Sequence, residues 1–272
     1  MPFYTTPDGV ELYYQVAGDG KPLLFLHGWA MSSRVWNYQV EWFAREYQVI
    51  TLDLRGHGRS GSLKRECTLI ALTRDIRDFI KELQLDTLTL VGWSLAVSLI
   101  IRLCHSHRLP VDSLVLVDGT PCFVSREDFP YGLPAAQVKK MRKRMDSNFP
   151  RALEDFHSLL LTPEERENRD TIWDLLTNER YLPKQEAARD LLVSLADEDM
   201  RSEIATITMP ALLMHGDQDK ICPVGASRYM KEHLECAEIA VFPGAGHAPF
   251  LTQTEDFNQR LTAFLRSRSS VT

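Results

Sequence analysis

The chain has 272 residues, 44% of them hydrophobic and 25% charged, with a net charge of −6. That is the profile of a globular protein long enough for a sizeable core; the acidic balance argues against nucleic acid as a partner, and no apolar run approaches a membrane span. Five cysteines (Cys67, Cys104, Cys122, Cys222 and Cys236) are odd in number and form no CxxC pair, which disfavours a metal site and a disulfide framework. A reducing cytoplasm is the expected setting, since the chain runs from Met1 to the turn at Asp8-Gly9 with no apolar leader.

Phe3–Thr6 and Val10–Val16 flank that turn and predict an antiparallel hairpin. Pro22–Leu26 is an unbroken apolar run ending in His27-Gly28-Trp29, as expected of a strand buried on both faces of a parallel sheet. A helical pattern covers 33–45. Val49–Leu52 predicts the next strand, followed by Asp53-Leu54-Arg55-Gly56-His57-Gly58-Arg59-Ser60. Leu69–Leu83 has helical period, Leu88–Val91 is strand-like, and a helix follows Ser94. Ser113–Val117 is another buried strand. The rhythm breaks between 121 and 209, a stretch rich in charge and helix formers, and resumes with strand Ala211–His215, helix Gly225–Leu234, strand Ile239–Phe242 and helix Thr254–Arg266. Strands alternating with helices imply βαβ units and a mostly parallel sheet with helices on both faces. The expected organisation is an α/β core of 1–120 and 210–272 carrying a helical insertion, 121–209.

Gly92-Trp93-Ser94-Leu95-Ala96 sits between a strand and a helix and nearly matches G-x-S-x-G, the sharp turn that lifts a nucleophilic serine above a sheet. Ser94 is the nucleophile candidate, against the commoner role of serine as a helix cap. His247, in Gly244-Ala245-Gly246-His247, is the base candidate, against a plain surface-loop histidine. Asp219 is the orienting acid, with Asp217 as its rival; Asp217 is nearer the strand end and better placed to stabilise the turn. Backbone amides of Leu95 and Trp29 are the candidate oxyanion donors, Gly28 allowing close backbone approach. Each candidate follows a strand, where open α/β sheets place their sites, and the order Ser, Asp, His is the one used with such an elbow. The chemistry these residues perform needs neither metal nor cofactor.

On these motifs the chain resembles the α/β-hydrolase superfamily from about residue 9 to 267. Gly92-Trp93-Ser94-Leu95, Thr120-Pro121-Cys122-Phe123 and Gly246-His247-Ala248-Pro249-Phe250 further resemble the pimeloyl-acyl-carrier-protein methyl ester esterases of biotin synthesis. That resemblance implies a helical cap over the site, oxyanion donors at Trp29 and Leu95, and an acyl channel lined by Phe156 with Leu160 near it. Ala96-Val97 departs from the family's Gly-Gly, and the added methyl implies a slightly wider elbow.

Residues 137–151 carry Lys139, Lys140, Arg142, Lys143, Arg144 and Arg151 against Asp146 alone. A charge run is most often a solvated helix face. The resemblance implies instead a docking surface for an acidic acyl carrier protein, with the enzyme itself a monomer. The triad pattern also fits a broad short-chain carboxylesterase or a carbon–carbon bond hydrolase, and the fold also serves non-catalytic ligand receptors.

Overall fold

The computed structural model describes residues 3–62, 67–167 and 170–269. The eight strands are β1 (Phe3–Thr5), β2 (Glu11–Ala17), β3 (Lys21–Leu26), β4 (Tyr47–Leu52), β5 (Leu88–Trp93), β6 (Val111–Val117), β7 (Ala211–Gly216) and β8 (Ala237–Phe242). They form one sheet in the order β1-β2-β4-β3-β5-β6-β7-β8. β1 and β2 make the expected hairpin, and β2 joins β4 antiparallel. All other pairings are parallel.

Every residue of β5 and β7 is buried. Such strands need cover on both faces, which is why they read as unbroken apolar runs. Cover comes from α1 (Asn37–Phe43), α2 (Leu69–Glu82), α3 (Leu95–Ser106), α10 (Gly225–His233) and α12 (Thr254–Ser269). The expected helix over 33–45 is divided: Ser33–Trp36 is a tight 3₁₀ turn and only Asn37–Phe43 is α-helical. The Ser33 amide is drawn off to Asp53 Oδ1 at 2.6 Å, a tertiary bond that local periodicity does not report.

The motif after β4 is a loop lock. Asp53 is buried and also takes the Arg59 amide, at 2.8 Å. Gly58 has φ +55°, and a Cβ there would lie 2.2 Å from the Asp53 carboxylate, so only glycine lets the loop close over that side chain. Arg55, also buried, pairs with Asp75 through two bonds of 2.7 Å.

Between β6 and β7 lie α4 (Ala135–Ser147), α5 (Phe149–Leu160), α6 (Pro163–Arg166), α7 (Asp170–Thr177), α8 (Gln185–Asp197) and α9 (Arg201–Ile204), and no named strand. A short α11 (Pro249–Thr252) follows β8. Among the described residues no helix is long and apolar enough to cross a membrane.

Candidate active site

Strand register brings the candidates together. The chain leaves β3 toward β4 on one side and takes up β5 on the other, so two exits open side by side at the point where the order reverses. Leu26 aligns with Gly92, which sets His27-Gly28-Trp29 beside Ser94. Gly28 brings the two close: a Cβ there would lie 3.2 Å from Ser94 Cβ and 3.2 Å from the Trp93 ring, tighter than ordinary van der Waals contact. At the other end of the site, Gly216 aligns with Phe242, which sets the Asp219 turn beside the His247 loop.

Ser94 has φ 57° and ψ −115° between β5 and α3. A non-glycine residue in this region is strained, and such strain gathers at functional sites. Gly92 and Gly119 accommodate the unusual Ala96-Val97. A Cβ on Gly92 would meet the Ala96 methyl at 3.1 Å, and one on Gly119 would meet Val97 Cγ2 at 2.2 Å. Ala96 and Val97 thus pack directly against glycine backbone, where a side chain at 92 or 119 would crowd them.

His247 is fully buried, and its Nδ1 donates to Asp219 Oδ2 at 2.6 Å. Among the described residues its buried Nε2 has no hydrogen-bond partner. Asp219 Oδ1 accepts the amides of Ile221 at 2.7 Å and Cys222 at 3.0 Å. Burial alone would raise the Asp219 carboxyl, but the charges and hydrogen bonds of His247 and His215 outweigh it and hold it well below the usual carboxylate range. Asp217, the rival, is exposed and accepts the Gly244 amide at 2.8 Å.

Behind Asp219 lies a layer that sequence reading missed. His215 donates from Nε2 to the Cys222 carbonyl at 2.6 Å and bonds Ser227 through Nδ1 at 2.7 Å. Asp118, at φ 45° after β6, accepts the Gly216 amide at 2.8 Å, and burial pushes its carboxyl up to about 7. Burial and the nearby Asp219 and Asp118 carboxylates push the Cys222 thiol well above the ordinary thiol range, against a smaller lowering by Ser94. Asp219, Cys222 and His247 offer donor atoms within 4.8 Å of one another, as do Asp118, His215 and Asp219. These are the residues that could approach a metal, yet Asp219, common to both groups, already accepts from His247 and two amides. The one available signal was proximity in sequence, since Cys222 lies in the turn that carries Asp219.

Trp29 and Leu95 are both buried. The Trp29 indole donates to the Ala188 carbonyl of α8 at 2.8 Å, and its ring meets Phe156 edge-on at 4.7 Å between centroids. Phe156 lines a cavity of about 160 Å³ together with Phe123, Met141, Leu159 and Ile221, and Lys140 and Arg144 border the same space. Leu160 is buried beside the His247 loop, its carbonyl accepting the His247 amide at 2.8 Å.

The basic run divides by helical spacing. Lys140 and Arg144 lie one turn apart on the cavity side, while Lys139, Arg142 and Lys143 share an exposed face. Asp146, the one acid within the run, and two of the cations pair outside it or with α5. Asp146 pairs with Arg189 of α8, Arg144 with Asp155, and Arg151 with Glu154 and Asp155. Among the described residues Lys139, Lys140, Arg142 and Lys143 form no salt bridge.

The alpha/beta hydrolase fold family matches residues 21–254, and the chain belongs to that family. Within it, the chain is 34% identical to the pimeloyl-[acyl-carrier protein] methyl ester esterase of Nitrosomonas europaea over 91% of this chain and 96% of the relative. It is 30% identical to the enzyme of the same name from Nitrosospira multiformis, over 94% and 99%. Among solved structures, an esterase from Exiguobacterium antarcticum superposes with a TM-score of 0.91 at 26% identity, covering 97% of this chain and 98% of that one. Family and relatives together make the chain a hydrolase of the esterase kind.

Proposed function

We propose that the chain is a serine carboxylesterase that removes the methyl ester of pimeloyl-acyl-carrier protein in biotin synthesis. The carrying observation is a strained Ser94 at the strand–helix turn together with His247 held at 2.6 Å by Asp219. Ser94 Oγ attacks the ester carbonyl while His247 Nε2 takes its proton. The amides of Leu95 and Trp29 receive the developing oxyanion, the first at a helix N-terminus where the dipole favours negative charge. His247 then protonates the departing methoxide, and methanol leaves. Water, deprotonated by the same histidine, attacks the acyl-serine and releases the acid and free Ser94. Asp219 keeps the proton of the resting imidazole on Nδ1, so that Nε2 faces the nucleophile.

In this reading residues 121–209 are a cap over a core of 1–120 and 210–272. The cavity lined by Phe156 receives the acyl chain, and Leu160, which does not line it, backs the His247 loop. The cations of α4, with Lys140 and Arg144 bordering the cavity and Lys139, Arg142 and Lys143 on the exposed face, receive an acidic carrier protein, complementary charge speeding encounter and fixing orientation. The enzyme acts as a cytoplasmic monomer without metal or cofactor.

The test is methanol release from pimeloyl-acyl-carrier-protein methyl ester by the purified protein and by Ser94→Ala. Turnover by the parent and none by the folded variant is the expected result; equal turnover by the two would sink the assignment.

A further inference from the structure

The segment between β6 and β7 reaches the His247 loop through Leu160 and Glu165. Beyond the Leu160 carbonyl bond, Thr162 opens α6 with a reciprocal cap: its hydroxyl accepts the Glu165 amide, and Glu165 Oε2 accepts the Thr162 amide at 2.8 Å. A capping box ends there. Here the same carboxylate continues into the catalytic loop. Oε2 also accepts the Gly246 amide at 2.9 Å, and Oε1 accepts the Thr252 hydroxyl at 2.5 Å. Glu165 is only 7% exposed, unusual for a glutamate, and its buried oxygens are consumed by donors 81 and 87 residues away.

Gly246 has a matching requirement. A Cβ there would lie 2.8 Å from the Leu160 carbonyl oxygen and 2.9 Å from Glu165 Oε2. Glycine at 246 lets the two segments meet, and glycine at both 244 and 246 leaves the loop with backbone freedom that something must restrain. Two successive amides, 246 and 247, are held from the 160–165 side, and Trp93 Nε1 donates to the His247 carbonyl at 2.7 Å from the other.

We propose that Glu165 is a positioning residue for His247. Its carboxylate acts through the Gly246 amide and the Thr252 hydroxyl to fix the backbone that aims the imidazole. The proposal rests on the reading of His247 as the base. What it requires is acceptor geometry rather than charge. A glutamine can accept both amides on its oxygen and donate its NH₂ to Thr252 Oγ, whose own proton can turn to the Ala248 carbonyl, now 3.3 Å away.

The experiment compares Glu165→Gln with Glu165→Met, close in volume but without acceptors, using a short p-nitrophenyl ester and measuring melting temperature beside kcat and KM. E165M should lose about tenfold or more in kcat with KM within about twofold, because a misaimed base slows the chemical steps and leaves ground-state binding alone. E165Q should return to within about threefold of the parent, and Thr252→Val should lose about two- to threefold. Parent-like kcat per folded molecule in E165M overturns the proposal, as does E165Q no better than E165M, or a rise in KM alone. Should E165M fail to fold, an unchanged kcat in T252V overturns it. Turnover persisting in Ser94→Ala would instead refute the triad reading, a distinguishable outcome.

Discussion

Asp219 holds the Nδ1 proton of His247 with one oxygen, at 2.6 Å, and two backbone amides with the other, at 2.7 and 3.0 Å. The amides can be satisfied only by an acceptor. In Asp219→Asn the side-chain oxygen must turn to them, which points the NH₂ at His247 Nδ1 and drives the imidazole proton to Nε2. That tautomer cannot accept the proton of Ser94. The expected loss in kcat is about 10³–10⁴-fold with little change in fold. Asp217→Asn, on an exposed turn, should keep kcat within about twofold. Parallel assays of the two variants check this, and equal losses would refute the assignment of Asp219.

Val97 and Gly119 are a coupled pair. A methyl at 119 would lie 2.2 Å from Val97 Cγ2, so Gly119→Ala should destabilise the protein by about 1–3 kcal/mol through overpacking. Val97→Ala clears the space. The double variant should therefore be more stable than the sum of the singles predicts, by about 1 kcal/mol or more in a urea-denaturation cycle. Simple additivity would show that the elbow is not accommodated in this way.

The sheet was legible because its central strands are buried on both faces and therefore appear as unbroken apolar runs between turn residues. Candidates at strand exits were legible for a related reason: in a parallel sheet all such exits open on one edge. The 3₁₀ turn at Ser33–Trp36 was not, since it depends on Asp53, twenty residues on. Asp118 and Glu165 were equally invisible; their partners Gly216 and Gly246 are 98 and 81 residues away. Nor could a carboxylate count over 137–151 find the true partners of Arg144 and Arg151, which come from α5.

Acid should destabilise the protein well before its carboxylates titrate as a group. His27 accepts the Leu54 amide on Nε2 at 2.9 Å and donates from Nδ1 to the Gly28 carbonyl at 2.8 Å, an arrangement only the neutral ring can make. Burial pushes His27 down to about 4, and burial with the neighbouring His27 pushes His57 to about 3; burial takes His157 to about 4. The unfolded chain binds these protons below about 6.5 and the folded one does not, so stability is full above 6.5 and falls toward pH 4. Asp118, pushed up by burial to about 7, opposes this: it takes up a proton in the folded state first, stabilising at low pH and losing that contribution as pH rises through 7. His215, raised by Asp118 and Asp219 against the effect of burial, opposes the three histidines as well, mainly near pH 7; near pH 5.5 the three lowered histidines outweigh Asp118, so stability should fall with acid by on the order of 2 kcal/mol per pH unit. Urea midpoints at pH 7, 6 and 5 measure this slope, and His157→Gln should reduce it by about one proton. Stability that rose on acidification would refute the neutral assignment.

Lys139, Arg142 and Lys143 are exposed on one face of α4 and have no salt bridge among the described residues, while Arg144 and Arg151 are neutralised by α5. If the exposed three receive a carrier protein, reversing them should act on encounter rather than chemistry. Lys139→Glu, Arg142→Glu and Lys143→Glu together should lower kcat/KM for the carrier-protein ester by about 10- to 100-fold, the span over which electrostatic steering changes association. A free short-chain methyl ester, which needs no docking, should be hydrolysed within about twofold of the parent rate. Added salt should slow the parent on the carrier substrate and leave the triple variant almost unaffected, because screening removes only an attraction that is present. Arg151→Glu alone, already compensated by Glu154 and Asp155, should have a smaller effect than any of the three. Equal losses on both substrates would mean that α4 supports the fold or the acyl cavity instead of a partner.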